Sequence, residues 1–168
     1  MSAHELSSNS YENTLLMPTE ITTEALHAGF AAIGDWQAEF EERIDSHERD
    51  ILYERGHVHF TAGNHEAALA HFGLLVLSDP EDMSYQLAYA TVLHEVGEYA
   101  HAVSFYTRAA KEPDIAAGAN CGLGAGFITL DRHEDAKRCL QLAIQQSYDE
   151  GEYTLIRAIA ESLFNVIA

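Results

Sequence analysis

The sequence has little positive charge and no long hydrophobic run. Its 168 residues include 9 Lys and Arg against 27 Asp and Glu, which gives a formal net charge of -18. A phosphate backbone and an anionic membrane surface would both repel such a chain, so we expect neither nucleic acid nor lipid headgroups as partners. No stretch approaches about 18 consecutive apolar residues, so we also expect no membrane insertion.

Cysteine is scarce as well. Cys121 and Cys139 form no C-x-x-C pair, and we interpret them as free thiols in a reducing cytoplasm. The polar start of the chain has no apolar core of the kind a signal peptide needs, which again favours a cytoplasmic location. Residues 1–18 are rich in Ser and Asn, which predicts a disordered tail.

Motifs for chemistry are missing too. The sequence has no phosphate-binding loop, no nucleophile elbow and no H-E-x-x-H. His57 and His59 form the closest histidine pair, but on a helix residues two apart point about 200° away from each other, which suits no metal. We therefore expect no enzyme activity, no metal and no cofactor.

Helical periodicity marks both ends of the chain. In the N-terminal helical region, residues 19–48, Trp36, Phe40 and Ile44 recur every four residues and form an apolar stripe. Residues 151–168 predict a C-terminal capping helix, with an apolar stripe at helical spacing. That stripe comprises Tyr153, Ile156, Ile159, Leu163 and Val166.

Between these ends the sequence repeats every 34 residues, the length of a tetratricopeptide unit. Four columns of residues recur. Two columns of small residues mark places where helices must approach closely, one column of large residues is predicted to fill the space between units, and one column marks a turn. Asp79 and Pro80 predict the start of the second unit's first helix. The columns are Gly56, Ala90 and Gly124; Ala68, Ala102 and Ala136; Phe72, Tyr106 and Leu140; and Gly63, Gly97 and Asp131.

The pattern predicts an all-α, tetratricopeptide-type superhelix of three helix-hairpin repeats, at 49–82, 83–116 and 117–150. Each unit would be two antiparallel helices, and the first helix of each would face an inner groove. The inward positions of these first helices lack the Lys, Arg and Asn that would clamp the terminal carboxylate of a peptide. They therefore suit an extended segment from within a partner protein's chain. The predicted groove residues are Tyr53, His57, Phe60, Ser84, Tyr85, Leu87, Thr91, His94, Cys121, Ala125 and Ile128.

Over about residues 45–150 the chain resembles the class II chaperones of bacterial type III secretion. The resemblance lies in Leu52-Tyr53, in Gly63-x4-Ala68-x3-Phe72, and in Gly97-x-Tyr99-x2-Ala102-x3-Tyr106. It implies a cytoplasmic chaperone that keeps hydrophobic translocator proteins soluble and competent for secretion.

The same resemblance implies how the client binds. A translocator segment with a Pro-x-Leu-x-x-Pro-like pattern would lie in the groove, with Tyr53, His57 and Phe60 in its first pocket and Tyr85 and Leu87 beyond. His57 stands where the family usually has an aromatic residue, and Ser84 is a second departure.

Further partners are implied as well. Family members dimerise through the N-terminal region and first repeat, so Trp36, Phe40 and Ile44 are predicted homodimer contacts. A transcription activator is another implied partner. Two other functions stay open, a general tetratricopeptide scaffold that joins soluble proteins and a chaperone of the secretion needle subunit.

Overall fold

The structure, a computed structural model, describes residues 44–149 and 154–167. These residues form seven α-helices, one short 3-10 helix and no strand. The predicted tail, most of the N-terminal helical region, Trp36 and Phe40 lie outside the described residues. The α-helices are α1 Ser46–Thr61, α2 His65–Ser78, α3 Met83–Glu95, α4 Tyr99–Ala109, α5 Ala116–Thr129, α6 His133–Asp149 and α7 Thr154–Ile167; the 3-10 helix is Pro113–Ile115.

The turn inside each helix hairpin has a left-handed residue. Gly63, Gly97 and Asp131 have φ angles of 77°, 87° and 58°. The next residue's N–H then reaches back to a carbonyl in the last turn of the first helix, as in the 2.8 Å bond from Asn64 to His59. The turn column of the sequence therefore marks the end of each repeat's first helix.

The start of α3 differs from the sequence prediction. Asp82, not Asp79, is the N-cap, and its carboxylate accepts hydrogen bonds from the backbone of Ser84 at 2.8 Å and Tyr85 at 3.4 Å. Asp79 instead ends α2 and pairs with Arg49 at 3.6 Å. Two aspartates flank Pro80, and local sequence rules could not tell which of them caps the helix.

Small residues allow the helices to approach one another. The alanines at positions 68, 102 and 136 are each 0% exposed. The large column packs on glycine backbone: the Phe72 ring covers Gly56, Leu140 covers Gly124, and the Tyr106 ring covers Gly122 of the next repeat. Phe72 and Leu140 therefore pack on a glycine of their own hairpin, whereas Tyr106 joins the second hairpin to the third, so this contact between repeats is seen at Tyr106 and not along the whole predicted column.

Two glycines of α5 give a matched test of this packing. A Cβ atom at Gly122 would lie 2.5 Å from the Tyr106 ring, whereas one at Gly118 would meet Ile156 at an ordinary 3.6 Å. We expect Gly122→Ala to lower the free energy of unfolding by about 1–3 kcal/mol through overpacking. Gly118→Ala should leave it unchanged or raise it by up to about 1 kcal/mol, because alanine favours the helix. Urea unfolding followed by circular dichroism measures both, and equal effects would contradict the close contact.

Helix α7 ends the stack, as predicted. Ala160 is 0% exposed within a cluster with Cys121, Leu140 and Ala143, and Ile156 and Leu163 pack against it. Two residues of the predicted stripe are not part of this contact, because Ile159 and Val166 are 44% and 78% exposed. The buried line is centred on Ala160, a residue too small to stand out in a hydrophobic pattern.

Candidate peptide-binding groove

A cavity of about 260 Å³ opens between the first and second repeats. Its walls come mainly from α1 and α3, with one side chain from α2 and one from the 3-10 helix. The lining residues are Tyr53, His57, Phe60, Phe72, Ser84, Leu87, Ala88, Thr91 and Ile115. No Lys, Arg or Asn is among them, so the wall carries none of the groups expected in a clamp for a terminal carboxylate.

The structure brings six of the predicted groove residues together in this cavity: Tyr53, His57, Phe60, Ser84, Leu87 and Thr91. Sequence reasoning did not assign Phe72, Ala88 or Ile115 to the groove. Phe72 was expected only between repeats, yet its ring reaches through to the cavity. Ile115 precedes the third repeat's first helix, in a 3-10 turn that the 34-residue period does not include.

Aromatic rings fix the shape of one end of the cavity. The Tyr53 ring lies 4.6 Å from the His57 ring and 5.8 Å from the Phe72 ring, both edge to face. His57 also meets Phe72 edge to face at 5.2 Å. Each ring is thus held by two others, which presents a preformed apolar surface at little further cost in side-chain entropy.

Tyr85 lies at the edge of this aromatic group. Its ring is 5.8 Å from that of Tyr53 and is half-buried, but it does not line the cavity. Burial raises the pKa of Tyr53, and the Asp82 charge adds to the rise. Burial and the charges of Asp82, Asp79 and Asp50 raise the pKa of Tyr85, against the opposing charge of Arg49. The charge of Asp82 thus acts on both phenols.

Tyr106 of α4 contacts α3 at Thr91, the last of the cavity residues on that helix. Its hydroxyl donates to Thr91 Oγ1 at 3.5 Å, and Thr91 in turn donates to the Leu87 carbonyl at 2.9 Å. His94 packs edge to face on Tyr99 at 5.0 Å and on Tyr106 at 6.3 Å, so it does not line the cavity. Burial lowers the pKa of His94.

The third repeat's predicted groove residues lie near α7. Cys121 is 9% exposed in the cluster with Ala160, and Ile128 packs against the same cluster. Burial raises the pKa of the Cys121 thiol to about 11. Ala125, between them on α5, is partly exposed. Contact of these three residues with a client stays a prediction, and Cys121 shares its buried cluster with Ala160 of α7.

Over residues 44–149 and 154–167, no three His, Cys, Asp or Glu side chains converge as a metal site would require. The helices of that same part of the chain include none with the length and apolar character needed to cross a bilayer. The aromatic cavity of the first two repeats is the candidate ligand site.

The fold and this inner cavity define a tetratricopeptide repeat protein, and the comparisons with solved structures agree. The translocator chaperone SycD of Yersinia enterocolitica type III secretion is 20% identical, with a TM-score of 0.66 over 74% of this chain and 93% of its own. A second SycD structure is an alternative dimer. The predicted all-α fold is thus confirmed.

Two further structures show what such folds hold. PcrH, a Pseudomonas aeruginosa protein solved with the chaperone-binding region of PopD, is 19% identical, with a TM-score of 0.67 over 74% of this chain and 93% of its own. The TPR2B domain of yeast Sti1 in complex with pHsp70 is 17% identical, with a TM-score of 0.67 over 73% of this chain and 97% of its own. At these identities the likeness shows the fold. No protein-family model matches the chain, and no curated protein does.

Proposed function

We propose that this chain is a cytoplasmic chaperone of a bacterial type III secretion system. It binds a hydrophobic translocator protein through an extended segment in the cavity of the first two repeats. The observation that carries the proposal is the preformed apolar cavity on the inner face of a fold shared with SycD and PcrH.

The cavity's chemistry supports an internal segment as the ligand. Its wall is mostly aromatic and aliphatic, and its polar groups are the Tyr53 hydroxyl, the His57 imidazole and the hydroxyls of Ser84 and Thr91. A buried apolar side chain contributes about 1.5–3 kcal/mol, and ordering a flexible segment costs about 2–5 kcal/mol. Two or three anchors and the backbone contacts around them then give an affinity near micromolar, weak enough for release to the secretion apparatus.

The predicted homodimer and the transcription activator are further parts of this proposal. Ile44, just before α1, lines a surface depression with Ile51, Leu52 and Arg55 of that helix, none of which lines the cavity. Dimerisation through this surface would leave the cavity open to a client.

The test is a double substitution. We expect Tyr53→Ala with Phe60→Ala to abolish binding of a translocator, because it removes two walls of the cavity. Co-purification from the native cells followed by mass spectrometry supplies the client, which should be a protein with predicted membrane segments. Far-UV circular dichroism should show unchanged helicity, since both side chains are partly exposed.

The control is Val58→Ala on the same helix, because Val58 is 65% exposed and lies outside the cavity. This variant should retain the client. Soluble clients without membrane segments would favour the general scaffold, and retention of a translocator by the double variant would refute the proposed groove. Collapse of helicity in the double variant would show that the two residues hold the fold together.

A further inference from the structure

The mouth of the aromatic cavity is acidic on one side. Asp50 is exposed on α1, one turn before Tyr53, and Asp82 stands at the N-terminus of α3. The charge of Asp82 acts on both Tyr53 and Tyr85, and that of Asp50 acts on Tyr85. Asp82 also accepts a hydrogen bond from the Tyr85 backbone N–H at 3.4 Å, and the two carboxylates lie near the tyrosine pair, whose rings are 5.8 Å apart.

No cation in the described part of the chain pairs with either carboxylate. Arg49 is the cation of this corner, and it pairs with Asp79 at 3.6 Å. Among residues 44–149 and 154–167, neither Asp50 nor Asp82 forms an ion pair. The hydrogen bonds from Ser84 and Tyr85 both go to Oδ1 of Asp82, so its second oxygen is free to accept another donor.

No residue that lines the cavity is an acid. The cavity wall holds no Asp, Glu, Lys or Arg. A ligand therefore meets negative charge at the tyrosine corner and an apolar surface beyond it. Charge complementarity at such an edge selects partners, because a like charge placed there is rejected.

We infer that the occupant of the cavity is an extended peptide segment with a lysine or arginine directly beside its apolar anchor, set against Asp50 and Asp82. This inference rests on the proposed function and deepens it by defining the segment's chemistry. An apolar anchor fills the cavity between Tyr53 and Thr91, while the cationic side chain lies over the tyrosine pair. The aromatic faces of Tyr53 and Tyr85 add cation–π attraction to that of the carboxylates.

Matched peptides test this inference on the full chain. The probes are fluorescein-labelled peptides of about twelve residues with a Pro-x-Leu-x-x-Pro core, carrying Lys, Gln or Glu on one flank or on the other. One flank of the bound peptide would lie against Asp50 and Asp82. On that flank we expect the Lys peptide to bind about three- to tenfold more tightly than the Gln peptide, and the Glu peptide more weakly than both. The difference should shrink at about 0.3 M salt, because these charges are exposed. Fluorescence anisotropy gives each dissociation constant.

Charge-neutral variants assign the effect to the two carboxylates. Asp50→Asn with Asp82→Asn should remove most of the preference for Lys, and asparagine is as good an N-cap as aspartate, so α3 keeps its start. The control, Glu66→Gln with Glu161→Gln, makes the same change in net charge at exposed positions outside the cavity and should keep the preference. Equal binding of Lys, Gln and Glu peptides on both flanks would overturn the charge inference and leave the groove intact. Failure of every peptide to bind would overturn both.

Discussion

Ala102→Glu is expected to destroy the cooperative folding of the whole array. Ala102 is 0% exposed in α4, and this helix packs against both α3 and α5. A carboxylate at this position would be buried without a partner and would force the helices apart. Burying an unpaired charge and overpacking a close contact together cost at least about 4 kcal/mol, a large part of the roughly 5–15 kcal/mol that stabilises a domain.

Urea unfolding followed by circular dichroism measures the effect. The matched control is Ala100→Glu, two residues earlier on the exposed side of the same helix. It makes the same change in charge and helix propensity and should shift the unfolding midpoint little. If the two variants unfolded alike, the close contact at Ala102 would not hold the array together.

The column that contains Ala102 shows why the fold could be predicted from sequence. A repeat protein places the same contact at each repeat, so the period of 34 residues reports tertiary packing directly. Ala68, Ala102 and Ala136 have no distinctive propensity one by one, yet together they mark one buried contact three times. The turn residues behave alike, since Gly63, Gly97 and Asp131 all adopt the left-handed conformation.

The groove could be predicted only in part, because the repeat is imperfect. Tyr53 and Leu87 follow from the inward positions of a helix, and the structure places both at the cavity. Ile115 does not follow, because it lies in a 3-10 turn outside the repeating pattern. Phe72 was assigned to the space between repeats, but its ring packs on Gly56 of its own hairpin and also forms part of the cavity wall.

The third repeat shows a different limit. Cys121 occupies an inward position by the period, but α7 packs there instead. The sequence of α7 contains apolar residues on several faces, so a hydrophobic pattern alone does not say which face is buried. Which face of α7 is buried depends on its contacts with the earlier helices. The 34-residue period does not report those contacts, because α7 lies outside the repeats.

Ala160→Asp is expected to release α7 and expose the Cys121 thiol. Ala160 is 0% exposed in the cluster that includes Cys121, so a carboxylate there would be buried beside an apolar surface. In the native chain, burial raises the pKa of Cys121 to about 11, so almost none of it is thiolate at pH 8. Once α7 leaves, the pKa should fall towards the ordinary value of about 8.5–9, and the thiolate fraction should rise about a hundredfold.

The rate of reaction with a disulfide reagent reads out this change. The parent and the two variants compared with it all carry Cys139→Ser, so that Cys121 is the one thiol left in the sequence. The rate for Ala160→Asp should rise with pH through about 9, whereas the rate for the parent should keep rising to about 11. Ala158→Asp, at an exposed position of the same helix, is the control and should react like the parent. A urea midpoint close to that of the parent would show that α7 alone has detached, and equal thiol reactivity in all three chains would contradict the packing of α7 over the third repeat.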